Sequence, residues 1–232
     1  LLRSMGYPVE EEAGWIRFRP EGRLEPFDLE VPGDPSSAAF LVGLAVLAGG
    51  GELRLEGVGV NPTRIGFLAV LERMGGRVTL DGRHERSGEP VADLVAAPSQ
   101  LRGTEVVADE IPGLIDEIPM LAVLASRASG TTTFREVGEL RVKESDRLAL
   151  IAQNLTAVGA RAVAREDTLI VEGTGIAPRG AVRTEGDHRI AMAFAVLGRL
   201  PGAEVRIDDV ACADVSFPGF VECLDRATGA RR

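Results

Sequence analysis

The chain repeats one helix–strand–helix unit three times, and this repeat limits its possible folds more than any other feature. Each unit runs from an aspartate through an apolar helix, a glycine turn, a short strand and a second helix. The units begin at Asp34, Asp116 and Asp187. Within each unit the hydrophobic period changes from about 3.6 residues to about 2 and back. The pattern predicts a mixed α/β (α+β) fold built from copies of one unit.

The first helix of each unit is apolar on nearly every side, which is typical of a buried helix. These helices are predicted over residues 36–48, 118–128 and 190–197. The second helices, near residues 62–74 and 144–158, are amphipathic and are expected at the surface, and the third ends near Leu224. A glycine after each second helix is typical of a left-handed C-terminal cap. Together these features predict an inside-out α/β barrel, with buried helices within and mixed sheets outside.

The repeat also bears on the two ends of the chain. Residues 2–9 resemble residues 71–78, where the first unit's second helix ends and a strand begins. The first two units continue into closing strands at residues 77–80 and 168–171, whereas the third has no such strand. This pattern predicts that the chain is a fragment of a longer polypeptide.

Composition excludes several other classes of protein. The net charge of -9 disfavours a nucleic-acid-binding surface, which requires a basic patch. Cys212 and Cys223, the two cysteines among 232 residues, lack the spacing of a metal site or a disulfide framework and indicate a reduced, cytoplasmic setting. The longest apolar runs are too short to cross a membrane.

Lys143 is the single lysine among 26 basic residues. It lies four residues before Arg147, so on a helix the two cations would share one face, with Glu144 beside them. An anionic ligand between the cations would relieve their repulsion, and Glu144 could then act as a general acid or base. A solvated, salt-bridged helix turn is the simpler alternative.

A second charged cluster, His188 and Arg189, begins the third buried helix, where cations oppose the helix dipole. That placement is favourable when an anion binds at the helix N-terminus. The aspartates that begin the three units are most simply interpreted as N-terminal caps. From the residues alone, we expect one cationic cleft for a phosphate or carboxylate ligand.

Four segments together resemble the 5-enolpyruvylshikimate-3-phosphate synthase family. They are residues 31–40, 116–119, 140–147 and 186–192, with the sequences VPGDPSSAAF, DEIP, LRVKESDR and GDHRIAM. The resemblance implies an enolpyruvyl transferase-like fold of two globules, each with three such units. Residues 1–31 would then be the truncated end of the first globule and residues 32–232 the second globule, with a hinge at Val31 and Pro32.

The resemblance also implies an activity that needs no cofactor and no metal. Family members transfer enolpyruvyl from phosphoenolpyruvate to the 5-hydroxyl of shikimate 3-phosphate and release phosphate. By resemblance, Asp116 would deprotonate this hydroxyl, and Glu144 would protonate the methylene carbon and later remove a proton. The substrate-binding residues would be Lys143, Arg147, His188 and Arg189.

Two differences from the family pattern lead to further expectations. Many members carry a lysine near the segment that corresponds to residues 213–218, and this chain has none there. The residues that hold shikimate 3-phosphate from the first globule are also not in this sequence. We therefore expect the missing globule to be a partner, the complete enzyme to be monomeric, and these 232 residues to be inactive alone. The alternatives are an enolpyruvyl transferase for UDP-N-acetylglucosamine and a non-catalytic anion-binding fragment.

Overall fold

The structure is a computed structural model that describes residues 2–3, 5–19 and 26–229. Within these residues the helices are α1 (Pro35–Leu47), α2 (Gly66–Arg73), α3 (Ile118–Arg127), α4 (Arg147–Ala157), α5 (His188–Gly198) and α6 (Phe220–Thr228). The strands are β1 (Val9–Glu12), β2 (Trp15–Phe18), β3 (Leu53–Gly59), β4 (Arg77–Arg86), β5 (Glu89–Ala97), β6 (Glu105–Val106), β7 (Thr131–Phe134), β8 (Arg161–Arg165), β9 (Thr168–Glu172), β10 (Arg179–Val182) and β11 (Glu204–Ile207).

Helices α1, α3 and α5 form the centre of the molecule, and each packs against the other two. Nearly all of their side chains are buried, because alanine, valine, leucine and phenylalanine occupy every face. Gly43 of α1 is one point of close approach: a Cβ there would lie 2.7 Å from the terminal methyl of Met120 on α3. The prediction of buried helices from three repeated units is confirmed.

Sheets from the three units lie outside these helices. The first has the antiparallel order β3-β5-β4 and the second the order β6-β7-β9-β8, in which β6 is parallel to β7 and the other pairs are antiparallel. In both, the strand after the second helix opens a hairpin whose second strand pairs with the unit's first strand. In the third unit, β10 and β11 form a parallel pair. The predicted mixed outer sheets are confirmed.

Aspartate caps two of the central helices but not the third. Asp34 caps α1 and Asp187 caps α5, each accepting hydrogen bonds from amides two and three residues later. Asp116 instead lies in a 3-10 turn, Ile115–Glu117, that leads into α3. Pro119 in the first turn of α3 has no N–H, so fewer amides are available to a capping side chain. The interpretation of Asp116 as an N-cap is wrong.

Helix α4 begins three residues later than the sequence predicts. Asp146 caps it by accepting a hydrogen bond from the Ala149 amide at 2.9 Å, and Arg147 is its first residue. Lys143 precedes the helix in an extended conformation, after the 3-10 turn Gly138–Val142. Lys143 and Arg147 therefore do not share a helical face, because the chain between them is not helical. The second helices do end as expected, with Gly75 and Gly159 at φ 91° and 92°.

Residues before α1 include the antiparallel hairpin of β1 and β2. The chain then enters α1 through Gly33, whose amide donates to the Gly57 carbonyl at 2.9 Å beside β3. Parts of the predicted first-globule segment, residues 1, 4 and 20–25, lie outside the described residues, and the division at residues 31 and 32 stays a prediction. None of the described helices is long and apolar enough to cross a membrane.

Candidate active site

Arg147 lies at the centre of a charged cluster, and its side chain is fully buried. Its Nε donates to Asp187 Oδ2 at 2.7 Å, and its Nη1 donates to Asp116 Oδ1 at 3.2 Å. Nη2 lies 2.5 Å from Glu144 Oε2. This contact is an ion pair whose alignment falls outside hydrogen-bond geometry. The guanidinium of Arg147 therefore faces three carboxylates, of which Asp116 and Glu144 are accessible.

Asp187 anchors Arg147 from the start of α5. Its side chain is fully buried, and Oδ2 accepts from the Ser145 hydroxyl at 2.9 Å as well as from Arg147. Oδ1 accepts from the Arg189 amide at 3.0 Å. Burial, the largest single influence, raises the pKa of Asp187, but Arg147, Ser145 and the Arg189 amide together hold it below the ordinary value. Asp187 is therefore ionised and balances the charge of Arg147.

Asp116 accepts from two arginines that belong to different helices. Besides Arg147 from α4, Arg189 from α5 places Nη2 3.2 Å from Asp116 Oδ2, and its Nη1 donates to the Asp116 carbonyl at 3.4 Å. The Asp116 carboxylate is partly exposed and so remains accessible to a substrate hydroxyl. The 3-10 turn before α3 thus brings Asp116 to the beginnings of α4 and α5.

Glu144 and Lys143 lie at the outer edge of the cluster. Glu144 is more than half exposed, at 52%, and touches the buried Arg147. Lys143 Nζ is paired with Glu139 Oε1 at 2.5 Å and is partly buried. The structure therefore brings Glu144 into the cluster and directs Lys143 to a neighbouring carboxylate.

His188 is the first residue of α5, beside Arg189. Burial, followed by the positive charge of Arg189, lowers the pKa of His188 despite the opposing effect of Asp187. The imidazole is therefore uncharged at neutral pH, and Arg189 supplies the positive charge at this helix start. Among the described residues, no group of three His, Cys, Asp or Glu side chains is arranged to hold a metal ion.

Four of the six residues predicted from the sequence meet in this cluster: Asp116, Glu144, Arg147 and Arg189. His188 adjoins it, and Lys143 precedes Glu144. Sequence reasoning missed that Asp187 pairs with Arg147 and that Ser145 supports Asp187. The signal for both was weak, because an aspartate before a helix already has a local explanation as a cap.

Comparisons with known proteins identify the family of the chain. The family model for EPSP synthase (3-phosphoshikimate 1-carboxyvinyltransferase) matches residues 1–224. The chain belongs to this family. It is 44% identical over 226 residues to the 3-phosphoshikimate 1-carboxyvinyltransferase of Geobacter sulfurreducens, covering 97% of this chain and 53% of that protein. Against the enzyme of the same name from Paramagnetospirillum magneticum, identity is 50% over 197 residues, which cover 84% of this chain and 44% of that protein.

Solved structures confirm the enolpyruvyl transferase-like fold. EPSP synthase from Acinetobacter baumannii superposes with a TM-score of 0.92 at 37% identity, over 97% of this chain and 53% of that one. The enolpyruvyl transferase NikO from Streptomyces tendae has a TM-score of 0.75 at 23% identity, over 97% of this chain and 51% of that one, and so shares the fold. The chain spans about half the length of the curated relatives it matches.

Proposed function

We propose that this chain supplies part of the active site of an enzyme that transfers enolpyruvyl from phosphoenolpyruvate to the 5-hydroxyl of shikimate 3-phosphate. One observation carries the proposal. The buried guanidinium of Arg147 contacts two accessible carboxylates, Asp116 and Glu144, and Arg189 pairs with Asp116 beside it. A reaction between two polyanions needs cations to bind them and carboxylates to move protons.

Arg147 and Arg189 are the proposed clamp for phosphoenolpyruvate. Planar guanidinium groups suit bidentate pairing with carboxylate and phosphate. Arg189 is held to Asp116 by contacts of 3.2 Å and 3.4 Å, and its side chain is partly open to solvent. It can therefore exchange Asp116 for a ligand oxygen, while Asp187 keeps Arg147 in place. We assign Lys143 to both substrates, with His188 beside the clamp.

Asp116 and Glu144 are the proposed proton carriers. In the addition step, Asp116 takes the proton of the 5-hydroxyl, whose oxygen bonds to C2 of phosphoenolpyruvate, while Glu144, which has first taken up a proton from solvent, protonates C3. The product is a tetrahedral ketal with a methyl group. In the elimination step, Glu144 removes a proton from that methyl group, the C2–O bond to phosphate breaks, and the double bond forms again. Phosphate leaves, Glu144 is again protonated as it was before the addition, and Asp116 recovers its negative charge when its proton passes to phosphate or solvent.

Isotope incorporation tests these assignments in the full-length protein that carries this chain. In D₂O, protonation of C3 followed by elimination places deuterium in the vinyl group of the product, which mass spectrometry detects. Glu144→Gln should lower kcat by about 100- to 10,000-fold and suppress this exchange. Asp116→Asn should lower kcat over the same range. Glu172→Gln, which alters an exposed carboxylate on β9 paired with Arg161, is the matched control and should retain both readouts.

The outcomes separate the competing functions. Deuterium in the product at the wild-type level with Glu144→Gln would contradict the role of Glu144. Turnover with UDP-N-acetylglucosamine in place of shikimate 3-phosphate would identify a different enolpyruvyl transferase, and failure to bind phosphoenolpyruvate would indicate a non-catalytic protein. Inactivity of the 232 residues alone also stays a prediction, and phosphate release by them from both substrates would contradict it.

A further inference from the structure

Glu117 follows Asp116 in the 3-10 turn and is a buried carboxyl group with no role in the steps above. Its side chain is buried, with the residue 4% exposed. Oε1 has no hydrogen-bond partner among the described residues. The carboxyl group interacts with the hydroxyl of Ser36, in the first turn of α1. Such incomplete satisfaction is unusual for a buried acid in a folded protein.

The two arginines near Glu117 form ion pairs with other carboxylates. Arg189, from α5, is paired with Asp116. Arg64, which precedes α2, pairs with Asp34 at 3.4 Å and donates to Ser36 Oγ at 3.2 Å. Within the described part of the chain, no ion pair within 4.0 Å includes Glu117.

An ionised carboxylate in this position would be costly, since a buried charge requires a partner and several hydrogen bonds. Burial is the largest influence and raises the pKa of Glu117, and the adjacent charge of Asp116 raises it further. The hydroxyl of Ser36 and the charges of Arg189 and Arg64 oppose this rise without overcoming it. Both the geometry and the electrostatics favour the protonated form.

We propose that Glu117 is held as an uncharged carboxylic acid and that its ionisation weakens anion binding at Arg147 and Arg189. The proposal deepens the proposed function, since it concerns the same anion site. With Glu117 neutral, Asp116 is the carboxylate that pairs with Arg189. Ionised Glu117 would add a second negative charge beside a site that must accept a phosphate and a carboxylate. By linkage, a bound anion makes Glu117 harder to ionise, so Glu117 retains or takes up a proton on binding.

The first test observes Glu117 without any ligand. In the full-length protein labelled with ¹³C at glutamate carboxyl carbons, Glu117→Gln identifies the Glu117 resonance by its disappearance, and a pH titration then follows it in the wild type. We expect the midpoint to lie above that of an ordinary glutamate, about 4.3. A midpoint at or below that value would overturn the proposal.

The second test measures coupling to the anion. Calorimetric binding of phosphoenolpyruvate is measured across pH, in two buffers of different ionisation enthalpy, so that proton uptake is read directly from unmodified protein. Wild-type affinity should fall on the order of tenfold relative to Glu117→Gln as Glu117 ionises. The protonation of phosphoenolpyruvate itself affects both proteins equally, so it cancels in the comparison of wild type with Glu117→Gln. Glu110→Gln is the matched control, because Glu110 is paired with Arg73 at 2.9 Å and its pKa is lowered.

The results distinguish this inference from the proposed function. If both proteins bind phosphoenolpyruvate with the same pH dependence and the wild type takes up no proton, the coupling is wrong and the anion site stands. If neither protein binds phosphoenolpyruvate at any pH, the anion site is wrong and the coupling falls with it. If Glu117→Gln does not fold, the Glu117 carboxyl resonance is assigned in the wild type through its bonded correlations to the backbone. Proton uptake beyond that of the ligand itself, at pH values around the midpoint so measured, then supports the proposal, and its absence overturns it.

Discussion

The starts of α1 and α5 share one local design but differ in their surroundings. A glycine and an aspartate precede each helix. Each aspartate caps its helix by accepting hydrogen bonds from the amides two and three residues later. Asp34 is half exposed and pairs with an exposed arginine, Arg64, at 3.4 Å. Asp187 is fully buried and pairs at 2.7 Å with Arg147, which is also buried.

The difference shows that burial, more than the cap itself, sets the energetic value of these aspartates. An exposed ion pair contributes little because water and salt screen it. A buried ion pair costs much to desolvate, but removing one partner leaves the other charge without compensation. At α5, the helix cap and the buried Arg147 therefore depend on one carboxylate, whereas at α1 the cap can be lost with little further effect.

The largest expected effect comes from Asp187→Asn. Asparagine can still cap α5 but cannot balance the charge of Arg147, so the free energy of unfolding should fall by about 3–5 kcal/mol. The matched change Asp34→Asn should cost less than about 0.5 kcal/mol, since asparagine caps as well as aspartate and the lost ion pair is exposed. Urea denaturation measures both. Equal losses would show that burial does not distinguish the two helix starts.

A double-mutant cycle isolates the pair energies. Combining Asp187→Asn with Arg147→Met should show a coupling of about 2–3 kcal/mol, because each single change removes the buried partner of a charge that stays, and the double change removes both charges. The cycle of Asp34→Asn with Arg64→Gln should give a coupling below about 0.5 kcal/mol. Additive losses in the buried cycle would contradict a direct ion pair between Asp187 and Arg147.

The sequence was informative about the central helices, because alanine, valine and leucine on all faces admit few alternatives to burial. It was also informative about Asp116, Glu144, Arg147 and Arg189, which the family resemblance selected and the fold brings together. These contacts join residues up to 73 positions apart. Local patterns alone could not have indicated which charges would meet.

The predicted start of α4 was wrong for a reason that involves both local and tertiary structure. Glu144 and Ser145 can both occur in helices, so the amphipathic pattern extended the prediction over them. Asp146 is a stronger cap, and Asp187 binds both Ser145 and Arg147, which holds the preceding turn outside the helix. Glu117 was missed because its importance lies in its burial, which its position in the sequence does not reveal.

Acid should reduce the contribution of Asp187 to the free energy of unfolding. Its folded-state pKa is lowered, so its stabilising contribution is present above the unfolded value of about 4 and is lost as pH falls through the folded value. The difference in unfolding free energy between wild type and Asp187→Asn should therefore narrow progressively below about pH 4. Urea titrations at several pH values measure this difference. A difference in unfolding free energy that stays constant down to the pH of acid denaturation would contradict the ionised, paired state of Asp187.

The smallest expected changes in unfolding free energy come from variants at the start of α1. They distinguish the contribution of the helix cap from that of the ion pair. Asp34→Ala removes the acceptor for the Ser36 and Ser37 amides, at 3.3 Å and 2.8 Å, and should lower the free energy of unfolding by about 1 kcal/mol. Arg64→Gln keeps the cap but removes the exposed ion pair, and should cost less than about 0.5 kcal/mol. Thermal unfolding at low and high salt distinguishes them, because salt screens the ion pair and leaves the neutral amide donors unaffected. A larger loss for Arg64→Gln than for Asp34→Ala would mean that Arg64 stabilises α1 through Ser36 and Glu117 more than Asp34 does through the cap.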